Sequence, residues 1–208
     1  MLLTTAFFPP IEYFALLAEY SVVYLEGCEH YQKQSWRNRC RILSAAGPQD
    51  LRVPVVHEGG SISLPIKEIR VDYSTPWLVR FERSLDAAYR SSSWFDYYRD
   101  DLYALLDTRP GTLWSLNLRI IAWLCEKIGL GTVLRETDTY LPPVLSAPGG
   151  QDFRAVIHPK RPNTILRDRG LDLPYYQVFS DRFGFVPGLS VADLLFNEGP
   201  DTISHLRP

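Results

Sequence analysis

Two strand-like segments enclose a helical segment within the first 26 residues, and this order constrains the fold more than any other feature. Leu2 to Phe8 is apolar and stops at Pro9-Pro10, which is typical of a short strand followed by the start of a helix. Apolar residues recur at helical spacing from Ile11 to Ala18, and Ser21 to Glu26 is again strand-like. The order predicts a βαβ unit, and therefore an α/β fold.

The rest of the chain predicts a mixed sheet, a central group of three helices packed on it, and a loop-rich C-terminal segment. A hairpin is expected around a turn at Gly47-Pro48-Gln49-Asp50. No linker is evident, so residues 1–208 are expected to form one domain. The predicted elements are strands at 36–43, 51–56, 62–71 and 132–137, helices at 75–88, 92–106 and 112–128, and, further on, a brief helix at 151–157, a strand at 175–179 and a helix at 189–196.

Composition narrows the class of protein. Of 208 residues, 46% are hydrophobic and 22% charged, which is typical of a globular chain. The net charge of -2 supplies no global positive field, which argues against nucleic acid as the partner. No apolar run approaches the roughly 20 residues that span a bilayer, and no signal peptide is evident. Three cysteines without a CxxC pair favour free thiols in a reducing cytoplasm.

The segment from Trp36 to Ile42 carries an unusual charge pattern. If it is extended, Arg37, Arg39 and Arg41 form a row on one face, opposite Trp36 and Asn38. Guanidinium groups bind carboxylate or phosphate in a bidentate way, so the row could hold an acidic or phosphorylated ligand. A solvated strand face guarded by charge is the alternative.

Other polar residues leave two interpretations open. Cys28 and His30 could form a nucleophile pair, or a packed cysteine beside a polar loop histidine. Lys160, in His158-Pro159-Lys160-Arg161-Pro162, could meet the same anion or lie in an ordinary exposed loop. Asn117 could bond a core backbone group or face a ligand. The histidines show no metal-ligand spacing, so no metal is assigned, and no glycine-rich phosphate motif is present. The sequence leaves any cofactor unknown.

The combined pattern resembles the WbqC-like protein family. The N-terminal run Thr4-Thr5-Ala6-Phe7-Phe8-Pro9-Pro10 keeps the family's aromatic residues and proline, although Thr4-Thr5 replaces its Gln-Pro. The family's second signature lands on Lys33, Trp36, Asn38-Arg39 and Arg41-Ile42, with His30 at a glutamine position. Residues 176–179 and 189–197 also look like the family's C-terminus. The signature retains Arg39 and Arg41 but not Arg37, which is therefore expected to be a surface charge.

The resemblance implies a role in bacterial surface-polysaccharide biosynthesis of the O-antigen type. It favours a transferase, of the acyl or glycyl kind, that acts on an amino sugar held by a nucleotide or another phosphorylated carrier. In this hypothesis Arg39 and Arg41 clamp phosphate, and Trp36 stacks on a sugar or base. Asn38 orients a polar group, while Asn117 and Lys160 add ligand contacts. His30 and Lys33 are the candidate catalytic residues.

A different class of protein is the alternative. The chain has no recognisable nucleophile motif, and it departs from the family signature at Thr4-Thr5 and at Cys28. A non-catalytic sugar-phosphate-binding or scaffold protein of polysaccharide assembly would have both properties. The sequence leaves the donor, the acceptor and the oligomeric state open.

Overall fold

The βαβ unit predicted from the first 26 residues is present. The computed structural model describes residues 1–56, 64–142 and 151–207. Strand β1 (Leu2–Thr4) lies parallel to β2 (Val22–Glu26), and helix α1 (Ile11–Glu19) connects them. Strand β5 (Val133–Glu136) pairs in parallel with the other side of β2, which gives the order β1-β2-β5. The α/β class is confirmed.

A second, antiparallel sheet consists of β3 (Arg39–Ser44) and β4 (Gly47–Arg52). The hairpin was predicted, but its register was wrong, because Ser44 pairs with Gly47 and the turn is therefore Ala45-Ala46. Gly47 has a φ of +104°, a backbone angle that glycine adopts without strain. The turn-forming residues Gly47-Pro48-Gln49-Asp50 thus belong to a strand.

The strand expected at residues 36–43 also begins later. Trp36–Asn38 is a 3₁₀ turn, and the side chain of Ser35 caps it by accepting a hydrogen bond from the backbone N–H of Arg37. The turn breaks the alternation of side chains. The three arginines therefore do not form one row.

Three further predictions, two of strands and one of a helix, were wrong because hydrogen bonds give these segments other conformations. Residues 64–71 contain a 3₁₀ turn at Ile66–Glu68, and residues 62–63 of that predicted strand lie outside the described ranges. Residues 151–153 run beside β1, since Leu2 N–H bonds to the Gln151 carbonyl, so no helix forms there. No strand forms at 175–179, where both amide groups of Gln177 bond the backbone of Val186.

The three central helices are confirmed as α2 (Trp77–Tyr89), α3 (Phe95–Asp107) and α4 (Leu113–Ile128). Thr112 caps α4 and Gly129 ends it in the left-handed conformation, as the sequence predicts. The later helices are α5 (Ile165–Asp168), α6 (Ser180–Phe183), α7 (Val191–Glu198) and the 3₁₀ helix Gly199–His205. Ser190 caps α7, as predicted.

Buried apolar side chains form a continuous core that extends from Leu3 to Leu206. Helix α2 packs against β3, and α3 contacts α2, α4 and α7, so the helices and the hairpin share one interior. Within the described ranges, no helix is long and apolar enough to cross a membrane. The carboxyl ends of β1, β2 and β5 share one edge of the parallel sheet, where ligands commonly bind in α/β folds.

Candidate functional site

A cleft lies where the chain leaves the carboxyl ends of β2 and β5. We call it the edge cleft. Two adjoining cavities of about 600 and 450 Å³ form it, and they share Glu29, Gln32 and Tyr140. The remaining lining residues are Cys28, His30, Tyr31, Asp152, Arg154, Ala155, His158 and Arg161.

The buried carboxylate of Glu26, the last residue of β2, holds the base of the edge cleft together. Its Oε1 accepts hydrogen bonds from the Cys28 N–H and the Thr137 hydroxyl, at 2.9 and 2.8 Å. Its Oε2 accepts from the Leu141 N–H and from Arg154. These bonds join the segments that follow β2 and β5 to the segment beside β1. Glu26 is a structural anchor, because its two oxygens are engaged by the protein.

Glu29 lines both cavities of the edge cleft and is only 6% exposed. Nε and Nη2 of Arg37 both donate to its Oε1, at 2.9 and 2.7 Å. Arg37 is thus a buried ion-pair partner, and its prediction as a surface charge was wrong. Burial raises the pKa of the Glu29 carboxyl, although the charge of Arg37 opposes that shift. Raised carboxyl pKa values in a cleft are typical of proton-transfer groups.

The opposite wall of the edge cleft comes from residues 152–161. Arg154 forms a bidentate pair with Asp152 and lies over the ring of Tyr140, 5.5 Å from its centroid. His158 Nδ1 accepts a hydrogen bond from the Lys160 N–H, so a neutral His158 carries its proton on Nε2. Partial burial and the charge of Arg161 lower the pKa of His158. Both effects favour the neutral imidazole.

A second cavity, of about 440 Å³, adjoins the edge cleft at Tyr31, which lines both. We call it the basic cavity. Four of its lining residues are cations: Lys33, Arg39, Arg52 and Arg80. Among the described residues no carboxylate lines it, and the other lining residues are Tyr31, Gln34, Asn38, Val53, Pro54, Val55, Thr75 and Trp77. The lining favours an anionic ligand.

Strand pairing places two of these cations side by side. Arg39 lies directly opposite Arg52 in the β3–β4 ladder, and burial together with the charge of Arg52 lowers the pKa of Arg39. Like charges in this position repel each other. Asp50 offsets the repulsion only in part, since its Oδ2 lies 3.7 Å from Nη1 of Arg39. An anion in the basic cavity would remove much of the remaining repulsion.

Arg41 has a different environment from Arg39. Its Nε donates to Asp50 Oδ1 at 2.8 Å, and its guanidinium lies 5.6 Å from the ring centroid of Trp36. Trp36 is 6% exposed and belongs to the core. Neither residue lines the basic cavity. Arg41 and Trp36 were predicted to contact the ligand, but they do not lie at the basic cavity. They instead support the hairpin.

Three polar atoms of residues that line the basic cavity are buried and have no hydrogen-bond partner among the described residues. They are Oδ1 of Asn38, Nε of Arg39 and Nε1 of Trp77. The other side-chain group of Asn38, Nδ2, donates to the Val53 carbonyl at 3.0 Å and fixes the amide against β4. Unpaired buried polar groups cost free energy, and a ligand or water in the basic cavity would provide partners for these three.

The loop with Lys160 lies against the segment that separates the two cavities. Lys160 Nζ donates to Oε1 of Gln34, whose φ of +59° is uncommon for a residue other than glycine. Strained backbone of this kind clusters at binding and catalytic sites. Lys160 thus lies between the basic cavity, lined by Gln34, and the edge cleft, lined by His158.

The structure brings together some of the residues that the sequence singled out. Lys33, Asn38 and Arg39 line the basic cavity, whereas His30 lines the edge cleft, so the two candidate catalytic residues face different cavities. Asn117 is fully buried and donates from Nδ2 to the Arg37 carbonyl at 2.8 Å. It therefore supports the 3₁₀ turn from the core side.

Sequence reasoning missed several residues of the two cavities. Glu29 was not among the predicted site residues, although it stands between Cys28 and His30, which were considered as a nucleophile pair. Arg52 pairs with Arg39 only in the observed strand register, so the predicted register, with its turn at Gly47-Pro48-Gln49-Asp50, did not bring the two together. Arg80 lies on α2 and has no local signal in the sequence. No group of three or more potential metal ligands occurs in the part of the chain that the structure describes.

The fold is that of an α/β protein, and the edge cleft lies at the carboxyl edge of its parallel sheet with the basic cavity beside it. Comparison with known families gives a match to the WbqC-like protein family over residues 5–148, and the chain belongs to that family. It is also 26% identical over 215 residues to the uncharacterized protein Rv1507c of Mycobacterium tuberculosis, covering 94% of this chain and 91% of that protein. No solved structure gives a significant match.

Proposed function

We propose that the protein is a transferase that acts on a phosphorylated or nucleotide-linked sugar in bacterial surface-polysaccharide biosynthesis, with acyl or glycyl transfer to an amino sugar as the reaction. The observation that carries the proposal is the basic cavity, where the residues that the structure describes contribute four cations and no carboxylate. Membership of the WbqC-like family supports the pathway, since the family resemblance implies a polysaccharide role.

The roles follow from the positions of the side chains. Arg39, Arg52 and Arg80 hold the phosphate groups, because guanidinium forks match phosphate oxygens. Lys33 adds a point charge at the same cavity rather than catalysis, and Asn38 orients a neighbouring polar group of the ligand. His30 lines the edge cleft, which is the part of the site where we place the transferred group. Lys160 contacts Gln34 beside both cavities.

A binding experiment tests the phosphate site with a matched pair of variants. Arg80 and Arg83 both lie on α2 and are both exposed, but only Arg80 lines the basic cavity. Isothermal titration with inorganic pyrophosphate and with a uridine diphosphate sugar should show binding that Arg80→Ala weakens about tenfold, roughly 1.4 kcal/mol. Arg83→Ala should change the affinity less than about twofold. Absence of binding, or equal losses in both variants, would contradict the proposal.

A non-catalytic sugar-phosphate-binding or scaffold role is the second candidate. The separation of His30 from Lys33, which line different cavities, favours it over catalysis by that pair. Mass spectrometry of a sugar nucleotide incubated with activated acyl donors distinguishes the two. Tight binding without any mass change would support the scaffold role.

In either case we propose a single domain over residues 1–208 and a cytoplasmic site of action, where the three free thiols are stable.

A further inference from the structure

The edge cleft contains a carboxylate, that of Glu29, with one oxygen that differs from the other in its contacts with the described residues. Both hydrogen bonds from Arg37 go to Oε1 of Glu29, and Oε2 accepts none of the hydrogen bonds among the described residues. The other carboxylate that lines the cleft, Asp152, binds Arg154 with both of its oxygens. Of the acidic residues described in the cleft, Glu29 is therefore the one that we expect to accept a hydrogen bond from a ligand.

The edge cleft and the basic cavity are close enough for one ligand to occupy both. They meet at Tyr31, and only four chain positions separate Glu29 from Lys33. Extended backbone rises roughly 3.3 Å per residue, so these two Cα atoms lie within about 13 Å of each other. A sugar diphosphate whose phosphates occupy the basic cavity can thus place its sugar ring in the edge cleft.

We propose that Glu29 is a catalytic residue that binds the amine of a phosphorylated amino sugar in the edge cleft and removes a proton from it. This inference rests on the proposed function, because the phosphate of the same ligand occupies the basic cavity. The buried position of Glu29 strengthens its attraction for an ammonium group. Its pairing with Arg37 through Oε1 fixes the position of the carboxylate, and Oε2 is the oxygen that we assign to the ligand.

The reaction balances with an activated acyl donor of the thioester or ester class. Glu29 takes one proton from the sugar ammonium, and the neutral nitrogen then attacks the donor's carbonyl carbon. A C–N bond forms, the bond from that carbon to sulfur or oxygen breaks, and its electron pair goes to the leaving group. The second proton lost by the nitrogen ends on the leaving group. Arg161 lines the same cleft, and its positive charge would stabilise the negative charge that develops on that group.

The test compares ligands that differ at one group. Glucosamine 1-phosphate and N-acetylglucosamine 1-phosphate share their phosphate, but only the first has a free amine. The wild-type protein should bind the first at least tenfold more tightly, and Glu29→Gln should remove that preference while affinity for pyrophosphate stays unchanged. Glu12→Gln is the matched control, because Glu12 is also buried and burial also raises its pKa, but it lines neither cavity.

A measurement on the wild-type protein covers the case in which Glu29→Gln does not fold. The carboxyl carbon of Glu29, observed by NMR, should shift on addition of glucosamine 1-phosphate but not of its N-acetyl form. Absence of that shift, or an amine preference that survives Glu29→Gln, would overturn the role of Glu29. Absence of pyrophosphate binding would overturn the phosphate site instead, so the two failures are distinguishable.

Discussion

Arg37 and Glu29 form a buried ion pair that joins the 3₁₀ turn to the wall of the edge cleft, with Nε and Nη2 of the guanidinium at 2.9 and 2.7 Å from one carboxylate oxygen. The side chains are 3% and 7% exposed, so solvent screens the pair little. The loop after β2 is thereby fixed to the start of the hairpin, with the basic cavity beside it.

Removing the cation of this pair should destabilise the fold. Arg37→Met is expected to lower the free energy of unfolding by about 3 kcal/mol, because it leaves a buried carboxylate without its partner. Urea denaturation measures the change. In the double variant Arg37→Met/Glu29→Gln the loss should be smaller than the sum of the two single losses. Additive losses would contradict a direct interaction between the two side chains.

Loss of the Asn117 amide should also destabilise the turn, from the core side. Asn117→Leu leaves the buried Arg37 carbonyl without its donor, so the free energy of unfolding is expected to fall by about 1 to 3 kcal/mol. The exposed Arg119 of the same helix provides the control, and Arg119→Ala should change stability by less than about 0.5 kcal/mol. Thermal and urea unfolding check both. Equal stability of Asn117→Leu and the wild type would refute the structural role of Asn117.

The buried Asp193 should make stability depend on pH. Tyr89 and Tyr175 each donate to it at 2.7 Å, yet burial raises its pKa to about 6 in the folded protein. Between about pH 4 and pH 6 the folded state therefore keeps a proton that the unfolded state has lost. Stability should fall as pH rises through this window, by on the order of 3 kcal/mol, and no further change from this group is expected above it.

The variant Asp193→Asn isolates that pH dependence. Urea unfolding between pH 4 and pH 7 should lose the fall assigned to Asp193, whereas Asp181→Asn, at an exposed position, should retain it. The opposite result would be a wild-type stability that rises from pH 4 to pH 6 and a variant Asp193→Asn that lacks this rise. It would contradict the predicted loss of stability with increasing pH.

Gly199 should tolerate no side chain. Its φ is +56°, and a Cβ at this position would lie 2.3 Å from the ring of Trp94. Gly199→Ala is expected to cost about 2 to 4 kcal/mol, from overpacking together with backbone strain. Gly184→Ala separates the two causes, because Gly184 has similar backbone angles (φ +68°, ψ -165°) but open space around it, and should cost about 1 to 2 kcal/mol. Equal losses at the two positions would exclude the clash with Trp94.

The three cysteines should differ in reactivity. Cys28 is partly exposed at the edge cleft, whereas Cys40 and Cys125 are buried, and burial raises the pKa of Cys125 to about 12. Thiolates are the reactive form, so iodoacetamide should label Cys28 at least about tenfold faster than either buried cysteine. Mass spectrometry of the labelled peptides measures the rates. In guanidinium chloride, which unfolds the protein, the three labelling rates should become equal. Equal labelling rates in the native protein would contradict the prediction.

The parts of the fold that sequence predicted are those with local signals. Pro9-Pro10 and the spacing from Ile11 to Ala18 define the βαβ unit, and Thr112 with Gly129 delimits α4. The predicted hairpin register was wrong, because Gly47-Pro48-Gln49-Asp50 has the sequence of a turn but pairs with β3 as part of a strand. Pairing partners far along the chain decided the outcome there, and no local pattern shows them.

The site divides in the same way. Lys33, Asn38 and Arg39 lie within one short segment, and the family signature marks them. Arg80 reaches the same cavity from a distant helix, so only tertiary packing could reveal it. Strand alternation gave the wrong environment for Arg37, because the 3₁₀ turn at Trp36–Asn38 rotates that side chain towards Glu29.

The pairing of Leu2 with residues 151–153 has a consequence for any shortened form of the protein. The family match ends at residue 148, but the backbone partner of Leu2 and the buried face of α7 both lie beyond that point. A polypeptide cut at the end of the match would expose one side of β1 and the apolar surface that Val191 and Phe196 cover. Evolutionary similarity and autonomous folding thus have different boundaries here, and expression of the matched region alone should yield aggregation-prone material.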